Sequence, residues 1–587
     1  MKRFFVYTGI IATIPMMLTG CVDEDYSLSD IDKTTQIRVN NLVLPVNIDP
    51  ITLNDIIDVD PTSKIQTVTI DGHEFYAVTE HGEINSQDIN IPQFTVITPD
   101  IQPSTASFHL TTPVTSKAHA AATPISFDYG FDNFTPQDIN VKSEGIDSAV
   151  KEIYNLKAIP APVNITLTAI NTPDYATFTF PQLNITLLKG LEFADLPSNY
   201  SYNPNTGELT ITNLSTNDNK VEISIALAGI DFTKTDTTVK DGAFTLTGKV
   251  DISSGILRAE IDPSRIPAGF TPDASISFSI KTSIGNFTAQ TISGAVDYTL
   301  TGDGLNIDPV TLNDVPDFLN QEGSDLKLAN PQIYLNLNNP IAIYNLYYQT
   351  GIEFTAVRST GNRTFAPDNN KVIATKPTSA GPYNFLLSPS MTSPLPEYAA
   401  NLEHIPFSEL SNLLSGNRLP EAIEINLINP GLPLQTVNDF RLGEEIPGIR
   451  GSYDFIAPIA LKDGSKIIYS KTEDGWNDED LDKLTIELLS VEADVTSTIP
   501  LDATLTAYPI DKNGNIISTA KADVSISANA KDSHILVKMQ GPINNLDGIT
   551  FTANLTPGSE ETLSPTQTIT LKNLKATVSG YYTVDFD

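Results

Sequence analysis

The sequence predicts a mainly β protein built from tandem, duplicated antiparallel β-sandwich domains with two short connecting helices. Three observations predict it. Apolar and polar residues alternate with period two over many short runs, turn signals separate those runs, and a ten-residue motif recurs 259 positions further along the chain. Period two sends successive side chains to opposite faces of a strand, so each run reads as half-buried antiparallel strand. The length of 587 residues suits roughly four domains. A hydrophobic content of 40%, with 25 Phe and 20 Tyr, is enough to build packed cores.

The elements follow in chain order. Lys2 and Arg3 precede an apolar run, Phe4 to Leu18, broken by Thr8, Gly9, Thr13 and Pro15. That run is too short for a membrane span and normal for a signal peptide. It ends in Leu18-Thr19-Gly20-Cys21, which resembles the bacterial lipobox: cleavage falls between Gly20 and Cys21, and the Cys21 thiol takes the lipid. Cys21 is the only cysteine of the chain, which also removes any disulfide framework. Several acyl chains at roughly 0.8 kcal/mol per buried methylene anchor a protein without a spanning helix. Val22 is followed by the acidic run Asp23 to Asp25 and by Tyr26-Ser27-Leu28-Ser29-Asp30-Ile31-Asp32. This stretch resembles the export signal of Bacteroidota surface lipoproteins. The resemblance implies an outer-membrane, lipid-anchored, surface-exposed protein; an acidic solvated linker explains the same residues.

Asn47 to Ile56 (NIDPITLNDI) recurs as Asn306 to Val315 (NIDPVTLNDV). Weaker matches set Val163 to Leu167 against Ile423 to Leu427, and Lys220 to Ile223 against Lys483 to Ile486. Two homologous halves, 39–300 and 301–587, are expected. Thr52 with Asp55, and Thr311 with Asp314, have capping-box spacing, so each copy is expected to form a strand, a turn and a short helical turn. Oxygen ligands for Ca²⁺ are the alternative use of Asn47, Asp49, Asn54 and Asp55.

Alternation is clear over 177–180, 222–227, 275–280 and 332–337, with turn signals at 203–207, 239–242, 461–464 and 511–515. Strands so spaced suggest sandwiches of Ig-like or related type. Residues 326–343, with their Asn-Pro pairs, resemble the strand pattern of water-stress-type β-sandwiches. Ile146, Val150, Ile153 and Tyr154 fall on a helical stripe, as do Leu410, Leu413 and Leu414 after a cap at Ser408. The expected organisation is signal peptide 1–20, acidic tether 21–38, sandwich 39–134, connecting helix 135–158 and sandwich 159–300. A third sandwich, 301–400, repeats the first; a helix, 401–418, and a fourth sandwich, 419–587, follow and repeat the helix and the second.

Chemistry-bearing motifs are scarce. The net charge of −36 repels a phosphate backbone, so no nucleic-acid partner is expected. No HExxH, GxSxG, GxGxxG or Walker A pattern occurs, and Gly242 to Lys249 misses the last by one residue and by Val250. His73 and His81, with Glu74 and Glu83, could outline a metal or acid–base site, extended by His109 and His119; solvated loop histidines are the plain alternative. Trp476, the only Trp, lies among the acids of 473–482, as a Ca²⁺ loop, a sugar contact or an acidic surface loop. Asp511 to Asn515 reads as a hairpin turn. Asp147-Ser148-Ala149 and Asp236-Thr237-Thr238 fit an O-glycosylation pattern of Bacteroidota envelope proteins, with Ser148 and Thr237 as acceptors. No catalytic residue, metal site or cofactor is assigned. The expected function is a non-enzymatic, lipid-anchored module for binding, adhesion or envelope assembly. Its partners would be the membrane, through the anchor, and a protein or glycan ligand. A pilus- or fimbria-type subunit or adhesin that donates the strand 576–587 is the alternative, and a glycan-capture lipoprotein accessory to polysaccharide uptake is the second.

Overall fold

The computed structural model describes residues 34–44, 50–57, 63–70, 72–111, 123–132, 134–237, 239, 242–266, 273–300, 305–312, 315, 319–475, 483–559 and 561–585. It is mainly β, with several antiparallel sheets of β-sandwich type. The strands used below are β1 (Thr34–Leu44), β2 (Ile51–Thr52), β3 (His73–Ser86), β4 (Val150–Ile170) and β5 (Phe287–Thr299). Then come β6 (Val310–Thr311), β7 (Gln332–Asn338), β8 (Gln349–Val357), β9 (Tyr383–Ser388) and β10 (Leu402–Pro406). The last are β11 (Ala422–Arg441), β12 (Arg450–Pro458), β13 (Leu484–Ser497), β14 (Ser533–Asn544) and β15 (Thr568–Asp585).

The alternating runs expected over 177–180, 222–227, 275–280 and 332–337 all lie in strands. Their inward residues feed one large core. At its centre Phe131 stacks on Phe108 at 4.7 Å and meets Phe180 and Phe278 edge-on at 5.0 and 5.1 Å. Such pairs contribute beyond their buried area. A smaller core joins β13, β14 and β15 to a facing four-stranded sheet through Ile486, Met539, Ile543, Val578 and Ala522.

The connecting helix expected over 135–158 is absent: Gln137–Ser143 is a strand, and Val150, Ile153 and Tyr154 belong to β4. The spacing that imitated a helix comes from β-bulges. Against β5, the register shifts between Val150 and Glu152 and again between Ile153 and Asn155. Each bulge adds a residue, so Val150, Ile153 and Leu156 are buried three apart instead of two. Tyr154 is 42% exposed. The stretch 408–412 is a 3₁₀ turn with Leu410 buried, followed by the buried pair Leu413 and Leu414. Phe407, not Ser408, occupies its N-cap; the Ser408 hydroxyl donates to Asp368 Oδ1 at 2.7 Å instead.

The described parts of the two motif copies make matching backbone contacts. In the first copy β2 pairs with β15 (Ile51 with Ile569), and the Leu53 amide donates to Gln567 O at 2.8 Å. In the second copy β6 pairs with β11 (Val310 with Ile423), and the Leu312 amide donates to Glu421 O at 3.3 Å. A helical turn, α1 (Leu53–Ile56), follows β2. The Asp55 side chain and Asp314 lie outside the described residues. Ladders join distant parts of the chain: β1 with β15, β3 with β12, β5 with β11.

Candidate functional site

A seven-stranded sheet carries the densest set of polar side chains. Its order across the face is β3–β12–β7–β9–β10, antiparallel until the last pair, which is parallel. One face packs into the main core through Leu335, Phe385, Tyr453 and Phe455. The other is only half covered. At one end Phe75, Tyr334, Leu386 and Ile456 form a small core under Leu395 and Tyr398. Beyond it the register sets polar residues in rows. His81 stands opposite Asp454, and Asp454 opposite Tyr334. In the next row Glu83, Ser452, Asn336 and Asn384 stand side by side, and Asn85, Arg450 and Asn338 follow. Period two brings these rows to one face, and a contact within each row is the ordinary cross-strand pair.

The hydrogen bonds are specific. His81 Nδ1 lies 2.8 Å from Asp454 Oδ1, and the Tyr398 hydroxyl donates to Asp454 Oδ2. The bond to Asp454 holds the His81 pKa above its ordinary value. Burial, with the Asp454 contact second, pushes the Tyr398 hydroxyl far above the usual phenol range, so it stays a donor. Asn336 Nδ2 donates to Asn384 Oδ1 at 2.9 Å, and Asn384 Nδ2 donates to Ala400 O at 2.9 Å. Arg450 pairs with Asp88 at 3.2 Å.

Gly82 makes this register possible. A Cβ there would lie 2.4 Å from Tyr453 Cε1, so the ring occupies the space a side chain would need. The Tyr453 hydroxyl donates to Asp308 O at 2.6 Å and so pins the second motif to the back of the sheet.

Asn384, Leu402 and His404 also line a groove of about 740 Å³ at the β9–β10 end, closed on its far side by Lys376, Ser379 and Pro382. Asn339 supports that wall: fully buried, it donates to Lys376 O and to Leu346 O, each at 2.8 Å. His404 Nε2 lies 3.0 Å from Ser388 Oγ, but Ser388 is fully buried and donates to Ser390 O at 2.8 Å. A hydroxyl so enclosed has no approach for a substrate, so this Ser–His contact serves packing. The polar face offers hydroxyl, amide, carboxylate and imidazole groups, which suits recognition of a hydroxyl- or amide-bearing ligand.

The residues singled out in the sequence fall mostly elsewhere. His73 and His81 lie eight residues apart on β3, about 26 Å at strand rise, and His109 sits on a different strand. His119 lies outside the described residues. No group of three or more His, Cys, Asp or Glu able to hold a metal occurs among the described residues. Asp511 accepts from the Asn513 and Asn515 amides at 2.8 and 2.9 Å, closing the expected hairpin turn. Gly20, Cys21 and Trp476 lie outside the described residues. Ser148 is exposed at a tight turn in which Asp147 Oδ1 accepts the Ala149 amide at 2.8 Å. Thr237 is half-buried and its hydroxyl donates to Thr245 O at 3.2 Å, so Ser148 is the more open hydroxyl of the two. Asp454, Tyr398, Asn336 and Asn384 were not foreseen; His81 and Asp454 are 373 positions apart, and no local pattern links them.

No family model matches the chain, and no curated protein matches it. Among solved structures, the chain is similar to a candidate secreted protein from Parabacteroides distasonis ATCC 8503, at 14% identity and a TM-score of 0.35, over 49% of this chain and 89% of that one. Among the described residues, no helix is long and apolar enough to cross a membrane.

Proposed function

We propose that the protein is a lipid-anchored surface module of the outer membrane that binds its ligand without catalysis, and that the polar half of the β3–β12–β7–β9 face is the binding surface. The observation that carries this reading is the row that runs from exposed Glu83 through half-buried Ser452 and Asn336 to buried Asn384, beside His81 and Asp454, on a sheet face that is covered only at its Asn384–Tyr398 side. Fixed amides and carboxylates on a rigid sheet suit a protein or glycan ligand rich in hydroxyl and amide groups. The lipobox ending in Cys21 supports the address.

The pilus reading draws no support from β15. This strand lies inside its sheet, between β1 and β13, and donating it would break ladders on both edges. The test is binding by the purified chain to a glycan array and to a panel of extracellular matrix proteins, compared with Ser452→Arg, which fills the middle of the face. Ligand retained by the native chain and lost by the variant is the expected result. No ligand on either panel, or one bound equally by the variant, would remove this face as the site.

A further inference from the structure

The surroundings of the two motif copies match, with one difference. At the second copy, β5 precedes the motif and lies between two antiparallel strands: β11 on one edge and β4 on the other, the latter from Val150 opposite Val296 to Ala158 opposite Ala289. At the first copy, β1 stands where β5 stands. It precedes the motif and pairs antiparallel with β15, from Thr34 opposite Asp585 to Leu44 opposite Ala576. Strands β13 and β8 lie on the far sides of β15 and β11 in the same sense. Among the described residues no strand pairs with the outer edge of β1. Among the described residues, the position that β4 fills beside β5 holds no strand beside Thr35 to Val39 of β1.

That edge carries only part of what usually keeps strand edges apart: a bulge and one charged residue, without Lys, Pro or short length. Proteins blunt free edges with Lys, Pro or short length. The free edge of β10 does so: five residues, ending in Pro406, beside a Lys371–Glu403 ion pair at 3.1 Å. By contrast, β1 has 11 residues with neither Lys nor Pro. Its one charged residue, Arg38, turns back to Glu487 of β13 at 3.1 Å. Ile37, Leu42 and Val43 are each more than half exposed. A bulge with Asn41 at φ 50° interrupts the far end, but Thr34 to Val39 keeps a regular register.

We propose that the outer edge of β1 takes an antiparallel strand, and that this strand is β1 of a second copy, continuing the sheet across a two-fold axis. A two-fold axis between antiparallel strands passes through a residue opposite itself. Centred on Ile37, the pairing sets Gln36 opposite Arg38 and Thr35 opposite Val39, so no like charges meet. A second copy fits because the strand is nearly neutral while each chain carries −36, which opposes approach at long range and is screened by salt. Dimerisation therefore strengthens as ionic strength rises, the reverse of an interface held by ion pairs. The inference uses a different sheet from the ligand-binding face and does not rest on that reading.

The test uses the full chain with Cys21→Ser, which removes its only thiol. Single cysteines are placed at Thr35, Gln36, Ile37 and Arg38, and disulfide-linked dimers are measured in low and high salt. The expected result is linkage several-fold greater at one of these positions than at its flanks, rising with salt and with protein concentration. Ile37→Lys, which sets like charges opposite each other, is expected to leave a folded monomer by light scattering. A chain monomeric at every salt and protein concentration, linkage independent of position, or a dimer undisturbed by Ile37→Lys would each overturn the proposal.

Discussion

Replacing Asp454 separates charge from hydrogen bonding at the candidate site. Asp454→Asn keeps an oxygen for the Tyr398 hydroxyl and removes the charge beside His81. The His81 pKa is raised in the folded protein, chiefly by the 2.8 Å bond to Asp454. A raised pKa means that the protonated ring stabilises the fold: the contribution is complete below about 6.5, the unfolded value, and is lost as pH rises through the higher folded value. The His81 side chain is 59% exposed, so screening holds that contribution under about 1 kcal/mol. Asp454→Asn should therefore lower the His81 titration toward the ordinary value, with a small stability loss at pH 5 and almost none at pH 8. Asp454→Ala also removes the acceptor from Tyr398, which is buried and stacked on Tyr334 at 4.8 Å. An unsatisfied hydroxyl costs about 1–3 kcal/mol, toward the low end because the Ser452 hydroxyl is within reach. That loss should persist at every pH. Histidine ring resonances, assigned with His81→Gln, and thermal unfolding between pH 5 and 8 measure both effects. A native His81 titrating at or below 6.5, or equal losses for the two variants at pH 8, would refute the reasoning.

Four further outcomes are expected. Gly82→Ala drives a methyl into the buried Tyr453 ring, and overpacking of this kind costs about 1–3 kcal/mol by denaturant unfolding; an unchanged midpoint counts against the assigned register. Asn339→Leu strands the Leu346 carbonyl and leaves the Lys376 carbonyl only the Tyr383 hydroxyl at 3.0 Å, with an expected loss of about 1–3 kcal/mol and faster amide exchange along the groove wall. Ser148→Ala should abolish any glycan mass on the tryptic peptide that spans this turn, and Thr237→Ala should leave that peptide unchanged; the reverse would favour the less open hydroxyl. Cys21→Ser should shift the protein from the membrane pellet to the soluble fraction, and an unchanged pellet would dismiss the lipid anchor.

Period-two alternation made the strands legible, because side-chain direction on a strand depends only on neighbours in sequence. It failed where bulges intervened. Val150, Ile153 and Leu156 carry a three-residue spacing that two inserted residues in β4 produce, and the same spacing on one turn of helix looks alike. The turn at Asp511 was legible because its hydrogen bonds close within five residues. The polar face was not. Its rows are assembled by register between strands from four separated stretches: the neighbours His81 and Glu83, 3.6 Å apart, were legible together, but neither His81 nor Asn336 bears any local mark of the partner it meets across the sheet.

The duplicated motif shows the same limit from another side. Among its described residues, each copy forms a two-residue strand and an amide bond to the chain opposite, and the two copies make these contacts in matching register. The motif does not encode which strand lies opposite. Val163 to Leu167 match Ile423 to Leu427 in sequence, yet they are not the strand that the first copy meets. The first copy pairs with β15 instead, whose Ile569 stands where Ile423 stands in the second copy. The long strand that completes the first motif therefore arrives 516 positions after Thr52. Contacts so distant in sequence close late, since loop entropy must be overcome before the ladder forms. During synthesis, β1 and β2 therefore cannot complete these ladders until β15 has emerged.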